Sequence, residues 1–306
     1  MNNKIVLYGV FYLFLTSFFL YIFINEKNIA KNFLGLRDKY LDNFIGRFNI
    51  KSENKKNIIK KILTTIENIA VALILVVVIQ RFYIGNFVIP TGSMIPTIEI
   101  KDRLFADMVS YKFRLPRRDE IIVFKEPIQN KVLYTKRAMA LPGERVAIRN
   151  NELYINNKKI TERKYSSLGI EEAEWQVPKK GDILKILPAG NYLEVYKSYN
   201  IDIAKLQSDL KNYPSEIKKI LPNIQFLING EETGLILDFI HDNKIMNEIL
   251  NGRVVELTLD DDYIFALGDN SDHSFDSRYW GFVASKRIRG RGLFRFWPLN
   301  RIGFIK

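Results

Sequence analysis

The chain has 306 residues, enough for one large core or two small ones. At 47% hydrophobic and 13% aromatic it carries too much apolar material for wholesale disorder, and its formal charge of +12 raises the question of an anionic partner. Cysteine is absent and histidine occurs only as His241 and His273, which excludes disulfides, thiolate metal sites, a cysteine nucleophile and a His-rich metal centre.

Ile5 to Ile24 is an uncharged run of about 20 residues, the length that crosses a hydrocarbon core of roughly 30 Å. It is followed by Asn25-Glu26-Lys27-Asn28 rather than by a small-residue cleavage site, so it reads as a span and not as a removable leader. A second apolar run extends from about Ile62 to Ile79. Its one acid, Glu67, falls early, where it can reach the interface. Between the runs, residues 25–61 hold ten Lys or Arg against four Asp or Glu, a net +6. The positive-inside rule then predicts a cytoplasmic loop, with the N-terminus and everything after about Phe82 on the outer side of a cytoplasmic membrane. The remaining charge is spread thinly with no dense basic block, so a lipid bilayer is the expected partner and nucleic acid is not.

Past the membrane, short β-branched or alternating runs predict strands over Leu104–Tyr111, Glu120–Lys125, Val132–Ala140, Arg145–Arg149 and Glu152–Ile155. Pro116, Pro127, Pro142-Gly143 and Asn150-Asn151 punctuate them, as in an antiparallel, partly barrel-like domain. Asp202–Leu221, interrupted by Pro214, and Ile236–Leu250 have helical apolar spacing. Strand signals return at Arg253–Leu259, Tyr263–Leu267 and Leu293–Trp297. The domain closes behind an insertion whose function the pattern does not reveal.

The residues with chemical promise lie in three places. Ile89-Pro90-Thr91-Gly92-Ser93-Met94-Ile95-Pro96-Thr97 sets a serine beside a glycine that permits close backbone approach, between two prolines that discourage helix. Read alone, it is equally a tight turn joining a membrane helix to a soluble domain. Lys136 falls mid-strand before Ala138-Met139-Ala140, and strand alternation predicts Tyr134, Lys136 and Ala138 on one face with Thr135 and Arg137 on the other. A lysine deprived of solvent can act as a base, whereas a solvated one is only a surface charge. Asp269, Asp272 and Asp276 suggest calcium, but the central glycine of a calcium loop is missing and Trp280 stands where its last carboxylate belongs, so no metal is expected.

Taken together, the nonapeptide at 89–97, Tyr134-Thr135-Lys136-Arg137, Leu141-Pro142-Gly143-Glu144 and Gly268-Asp269-Asn270-Ser271-Asp272-His273-Ser274-Phe275-Asp276-Ser277-Arg278-Tyr279-Trp280-Gly281 resemble, in order and setting, the boxes of the bacterial type I signal peptidases. That resemblance implies a serine endopeptidase, without cofactor, acting on preproteins that carry signal peptides. It implies Ser93 as nucleophile, Lys136 as general base, and the Ser93 N–H with the Thr91 hydroxyl as oxyanion donors; the family more often has serine at position 91. Ser274 would orient the lysine, Asp276 and Arg278 would pair to hold their loop, and Tyr134 would support it. Phe87, Ile89, Pro90, Met94, Ile98 and Leu104 would line substrate pockets suited to small residues at −1 and −3. Phe294, Phe296 and Trp297 are candidates for an interfacial aromatic patch or for core.

Three departures stand out: Lys101-Asp102 where Gly-Asp is usual, Asp119 where glycine is usual, and His273 where asparagine is usual. A Ser93–His273–Asp276 triad is the competing arrangement for His273. The implied fold is two N-terminal transmembrane helices followed by a mainly antiparallel β catalytic domain with a mixed α/β insertion. The expected segments are 1–24 and 62–81 for the spans, 25–61 for the cytoplasmic loop, 82–160 and 256–306 for the catalytic domain, and 161–255 for the insertion. Two other functions share these features: a membrane-tethered Ser-Lys self-cleaving regulator, which would need an effector module, and a non-catalytic binding module, which would dispense with Ser93, Lys136 or Ser274.

Overall fold

The computed structural model describes residues 3–25, 35, 39–40, 43–44, 52–167, 173–213, 216–240 and 242–305. Most of the 25–61 loop, together with Pro214 and His241, lies outside them. The chain divides into two units, Met1–Ile84 and Gly85–Lys306.

The first unit contains α1 (Asn3–Ile24) and α2 (Glu53–Phe82), both long and apolar enough to cross a membrane. α2 reaches back to Glu53 rather than starting near Ile62, so the lysines at 55, 56, 60 and 61 sit on its first turns. No residue of α2 is buried, and Leu13, Phe14, Val71 and Val77 are among many large apolar side chains left open. Such surface is costly in water and natural in lipid. Within this unit the Tyr12 hydroxyl donates to the Phe82 carbonyl at 2.9 Å, and Phe11 and Phe82 meet with ring centroids 5.4 Å apart.

The second unit is built on three sheets. The largest takes β1 (Ile84–Val88), β2 (Arg103–Asp107), β3 (Ile121–Lys125), β4 (Leu133–Ala140), β13 (Tyr263–Leu267), β14 (Val283–Ala284), β15 (Ile288–Trp297) and β16 (Gly303–Phe304). Its order is β1-β2-β15-β3-β4-β13-β14, with β16 beside β15. β5 (Arg145–Arg149), β6 (Glu152–Ile155), β7 (Lys158–Lys164) and β8 (Glu174–Gln176) form a second sheet in the order β7-β6-β5-β8. The third, β11-β10-β9-β12, takes β9 (Ile183–Leu187), β10 (Gln225–Ile228), β11 (Glu231–Glu232) and β12 (Val255–Thr258). β7 runs through position 160, and one hydrophobic core joins Phe124, Ala140 and Phe265 to Leu184, Leu206 and Phe226. The insertion therefore shares its interior with the strands around it.

Several elements differ from expectation for local reasons. The strand expected over Leu104–Tyr111 stops at Asp107, because the Asp107 carboxylate accepts from the Val109 and Ser110 N–H at 2.8 and 3.0 Å and turns the chain into a short 3-10 helix at Ser110–Lys112. The helix expected from Ile236 starts at Asn243, where Asp242 caps it by accepting from the Lys244 and Ile245 N–H. Helical residues in the Asp202–Leu221 stretch fall in two pieces, Ile203–Asn212 and Ile217–Ile220, on either side of Pro214. β7 was hidden by its composition: Lys-Lys-Ile-Thr-Glu-Arg-Lys has no apolar alternation.

This topology brings the distant motifs together. β4 lies between β3 and β13, with Ile122 opposite Lys136 and Leu267 opposite Arg137. The 268–276 loop thus leaves β13 beside the strand that carries the lysine. Met94 and Ile98 anchor the 89–98 turn from below, in a second cluster with Ile89, Leu104 and Ile121.

Candidate active site

Ser93 rests in a turn whose carbonyls are held from outside. The Asn270 N–H donates to Ser93 O at 3.0 Å and the Asn270 side-chain amide donates to Gly92 O at 3.0 Å. Ile89 N–H donates to Asp102 O at 3.0 Å and Lys101 N–H to Ile89 O at 2.8 Å, closing the turn at its other end. Lys101 adopts φ 70° and Asp119 φ 67°, so two of the departures from the family pattern put a side chain where glycine is unstrained. Among the described residues no backbone carbonyl accepts from the Ser93 N–H.

Lys136 meets that serine. Its Nζ lies 2.6 Å from Ser93 Oγ, and the two residues are 4% and 7% exposed. Burial disfavours its charge and brings its pKa from the ordinary 10.5 down to about 8; Asp276 and Asp269 pull upward and Arg278 downward by smaller amounts. The Tyr134 ring stands 5.6 Å from the same nitrogen. Arg137, the next residue along β4, turns to the opposite side as alternation predicts, whereas Thr135, expected with it, borders the same cleft as Tyr134 and Lys136. Arg137 makes a two-point contact with Asp269, Nε to Oδ1 at 2.9 Å and Nη2 to Oδ2 at 2.6 Å, in a pair with side chains 1% and 0% exposed.

That ion pair ties three segments. Asp269 Oδ2 accepts from the Thr97 hydroxyl at 2.5 Å, and Arg137 Nη1 donates to Asp119 O at 2.7 Å. Burial pushes the Asp269 carboxyl up, but the Arg137 guanidinium and Thr97 outweigh it and hold it below its ordinary value. Arg137, Asp269, Thr97 and Asn270 were not assigned roles from sequence. The signal available was a charged residue directly after the lysine in a strand continuing through Ala138-Met139-Ala140, whose opposite face must also find a partner if buried.

Asp276 and Arg278 form a second buried pair, with Nε to Oδ1 and Nη2 to Oδ2 both at 2.9 Å. Asp276 also accepts from Gly268 N–H at 3.0 Å, while Arg278 Nη1 donates to Ser271 Oγ at 2.7 Å and to Ser166 O at 3.0 Å. Gly268 is crowded: a Cβ there would stand 2.5 Å from Ser93 O and closer still to Ser274 Oγ. Ser274 Oγ is buried without a hydrogen-bond partner, so the expected bond to Lys136 is not made; Lys136 Nζ bonds to Ser93 Oγ instead. His273 is exposed at the rim, and no hydrogen bond joins its ring to Ser93 or Asp276 among the described residues.

A cleft of about 370 Å³ opens over Ser93 and Lys136. Of the expected pocket residues, Phe87, Ile89, Pro90 and Met94 line it; Thr91 and Tyr134, expected in other roles, line it too, together with Val132, Leu133, His273 and Phe275. Ile98 and Leu104 do not; at 0% and 1% exposure they belong to the core beneath. Phe296 stacks on Phe105 with centroids 4.2 Å apart and Phe294 meets Phe304 at 5.2 Å, whereas Trp297 is exposed. No cluster of potential metal ligands occurs among the described residues.

Comparison with known proteins meets this geometry from another side. The family described as signal peptidase, peptidase S26, matches residues 62–297. A signal peptidase I of Bacillus caldolyticus is 30% identical over 76% of this chain and 91% of its own length. A probable signal peptidase I-2 of Synechocystis sp. is 26% identical over 76% of this chain and 72% of its own. The crystal structure of a signal peptidase I from Enterococcus faecalis aligns with 22% identity over 58% of this chain and 97% of its own, at a TM-score of 0.25 that carries no argument by itself. With a match across more than two thirds of the chain, this protein belongs to the signal peptidase family, peptidase S26.

Proposed function

We propose that the chain is a membrane-tethered serine endopeptidase that removes signal peptides from exported preproteins, with Ser93 as nucleophile and Lys136 as general base. The observation that carries this is the 2.6 Å approach of a buried lysine nitrogen to a serine hydroxyl. At pH 7 a lysine with a pKa of about 8 is neutral in roughly a tenth of molecules, against about one in three thousand at the ordinary value.

Neutral Lys136 takes the Ser93 Oγ proton as the oxygen attacks the scissile carbonyl carbon. The oxyanion is received by the Ser93 N–H and the Thr91 hydroxyl, which lines the cleft. Threonine keeps the hydroxyl of the usual serine but is stiffer at χ1. The Lys136 ammonium then returns its proton to the leaving amine, giving an acyl-enzyme. Water, deprotonated by the same lysine, cleaves the ester to a carboxylate and restores Ser93 Oγ–H. Ser274 Oγ, buried and unpaired, is available to steady the lysine nitrogen during these transfers. Asp276 with Arg278 supports that loop.

α1 and α2 span the cytoplasmic membrane in this reading. The +6 of residues 25–61 keeps that loop inside and puts the β domain on the extracytoplasmic face, where preproteins tethered by uncleaved signal sequences present their cleavage sites.

The test incubates the full chain in detergent with a preprotein bearing a standard signal sequence and maps the cut by mass spectrometry. One cut after a small residue at the signal junction is expected, absent in Ser93→Ala and Lys136→Ala. Undiminished cleavage by either variant overturns the mechanism. Protease added to spheroplasts should reach the β domain; protection of that domain overturns the orientation.

A further inference from the structure

The loop that supports the site also presents a face to the cleft. Ser274, at φ −118° and ψ 117°, and Asp276, at φ −140° and ψ −162°, have extended backbone, so successive side chains point to opposite sides. Ser274 and Asp276 turn inward and are buried. His273 and Phe275 turn outward and line the cleft with Ser93 and Lys136. The outward pair has no structural duty comparable to that of the inward one. Among the described residues the His273 ring makes no hydrogen bond, and Phe275 leans on exposed Tyr279 with ring centroids 5.1 Å apart.

The chemistry around this pair is one-sided. The titratable residues lining the cleft are Tyr134, Lys136 and His273, with no aspartate or glutamate among them; Asp272, next in sequence, is not a lining residue. The imidazole offers an N–H donor, and the rim of the Phe275 ring is the positive part of its quadrupole. A substrate carboxylate entering here meets donors and no competing acid.

We propose that His273 and Phe275 form a subsite that reads one substrate side chain within two residues of the scissile bond and favours a carboxylate there. This rests on the Ser93–Lys136 reading above and makes His273 a specificity determinant rather than a base.

The experiment uses the full chain in detergent with paired signal-junction peptides carrying Glu or Gln at position −2, +1 or +2. At one of these positions wild type should prefer Glu by about fivefold in kcat/KM, as a charge-assisted hydrogen bond at a partly open site allows. The ratio should fall to about one in His273→Asn and below one in His273→Asp, where a carboxylate meets a carboxylate. Wild-type ratios near one at all three positions, or a preference unchanged in both variants, would overturn the subsite. Cleavage of these peptides by wild type and not by Ser93→Ala keeps that outcome separate from a failure of the nucleophile assignment, which would remove both.

Discussion

Replacing Lys136 by methionine should make the protein more stable while abolishing its activity. Burial lowers the lysine pKa from 10.5 to about 8, and that gap corresponds to a penalty on the order of 3 kcal/mol for holding the charged form in the folded state. The folded value lies below the unfolded one. Below pH 8 both states carry the proton and the penalty is fully present; between about 8 and 10.5 the unfolded state binds more protons, so stability rises with pH until the penalty is gone. Methionine removes the charge at similar volume but deprives Ser93 Oγ of its 2.6 Å partner, a loss of about 1 kcal/mol. The net gain at pH 7 is therefore about 2 kcal/mol. Urea unfolding of the full chain in detergent, followed by tryptophan fluorescence, measures it well, because Trp175, Trp280 and Trp297 all lie in the second unit. The advantage of Lys136→Met should shrink as pH is raised from 8, pass through zero and become a deficit of about 1 kcal/mol by about 10.5, where only the lost hydrogen bond remains. A variant no more stable than wild type at pH 7, or a gap that does not change with pH, would refute the claim that the lysine's charge is held at a cost.

Gly268→Ala should lower kcat by about a hundredfold with a smaller change in KM, because its Cβ would force Ser93 O and Ser274 Oγ aside and misplace the nucleophile; steady-state kinetics on one peptide checks this. Asp269→Asn leaves the buried Arg137 guanidinium facing a neutral amide in place of its carboxylate and should cost about 3–5 kcal/mol in urea unfolding. The same contribution in wild type is complete above about pH 4, the ordinary carboxyl range, and is lost as pH falls through the lowered folded value of Asp269. Lys101→Gly relieves a left-handed backbone position and should raise stability by about 0.5–1 kcal/mol; destabilisation instead would mean the lysine side chain is needed there.

Sequence carried the centre of the site further than its supports. Ser93 and Lys136 were legible because the motifs around them resemble a family, and the strand period alone put Tyr134 and Lys136 on the face away from Arg137. What that face needed on its far side was not legible. Arg137, Asp269 and Thr97 meet only because β4 pairs with β13 and the 89–98 turn lies alongside, a long-range fact that no spacing encodes. Ile98 and Leu104 read as pocket residues because apolar residues near a nucleophile look alike whether they face substrate or core. Two other elements were hidden for a different reason. β7 is a polar strand whose place is set by neighbours, and the 3-10 turn at Ser110 follows from one carboxylate, Asp107, closing on its own chain.

The central claim, that Lys136 is the base for Ser93, is tested most directly by the pH dependence of kcat/KM, using the full chain in detergent and a peptide with no group titrating between pH 6 and 10. The account predicts a rate that rises with pH through an apparent pKa near the about 8 set by burial, well below the ordinary lysine value, and the same ascending limb in His273→Asn. A limb that disappears in His273→Asn, or one that rises only near 10.5, would contradict it.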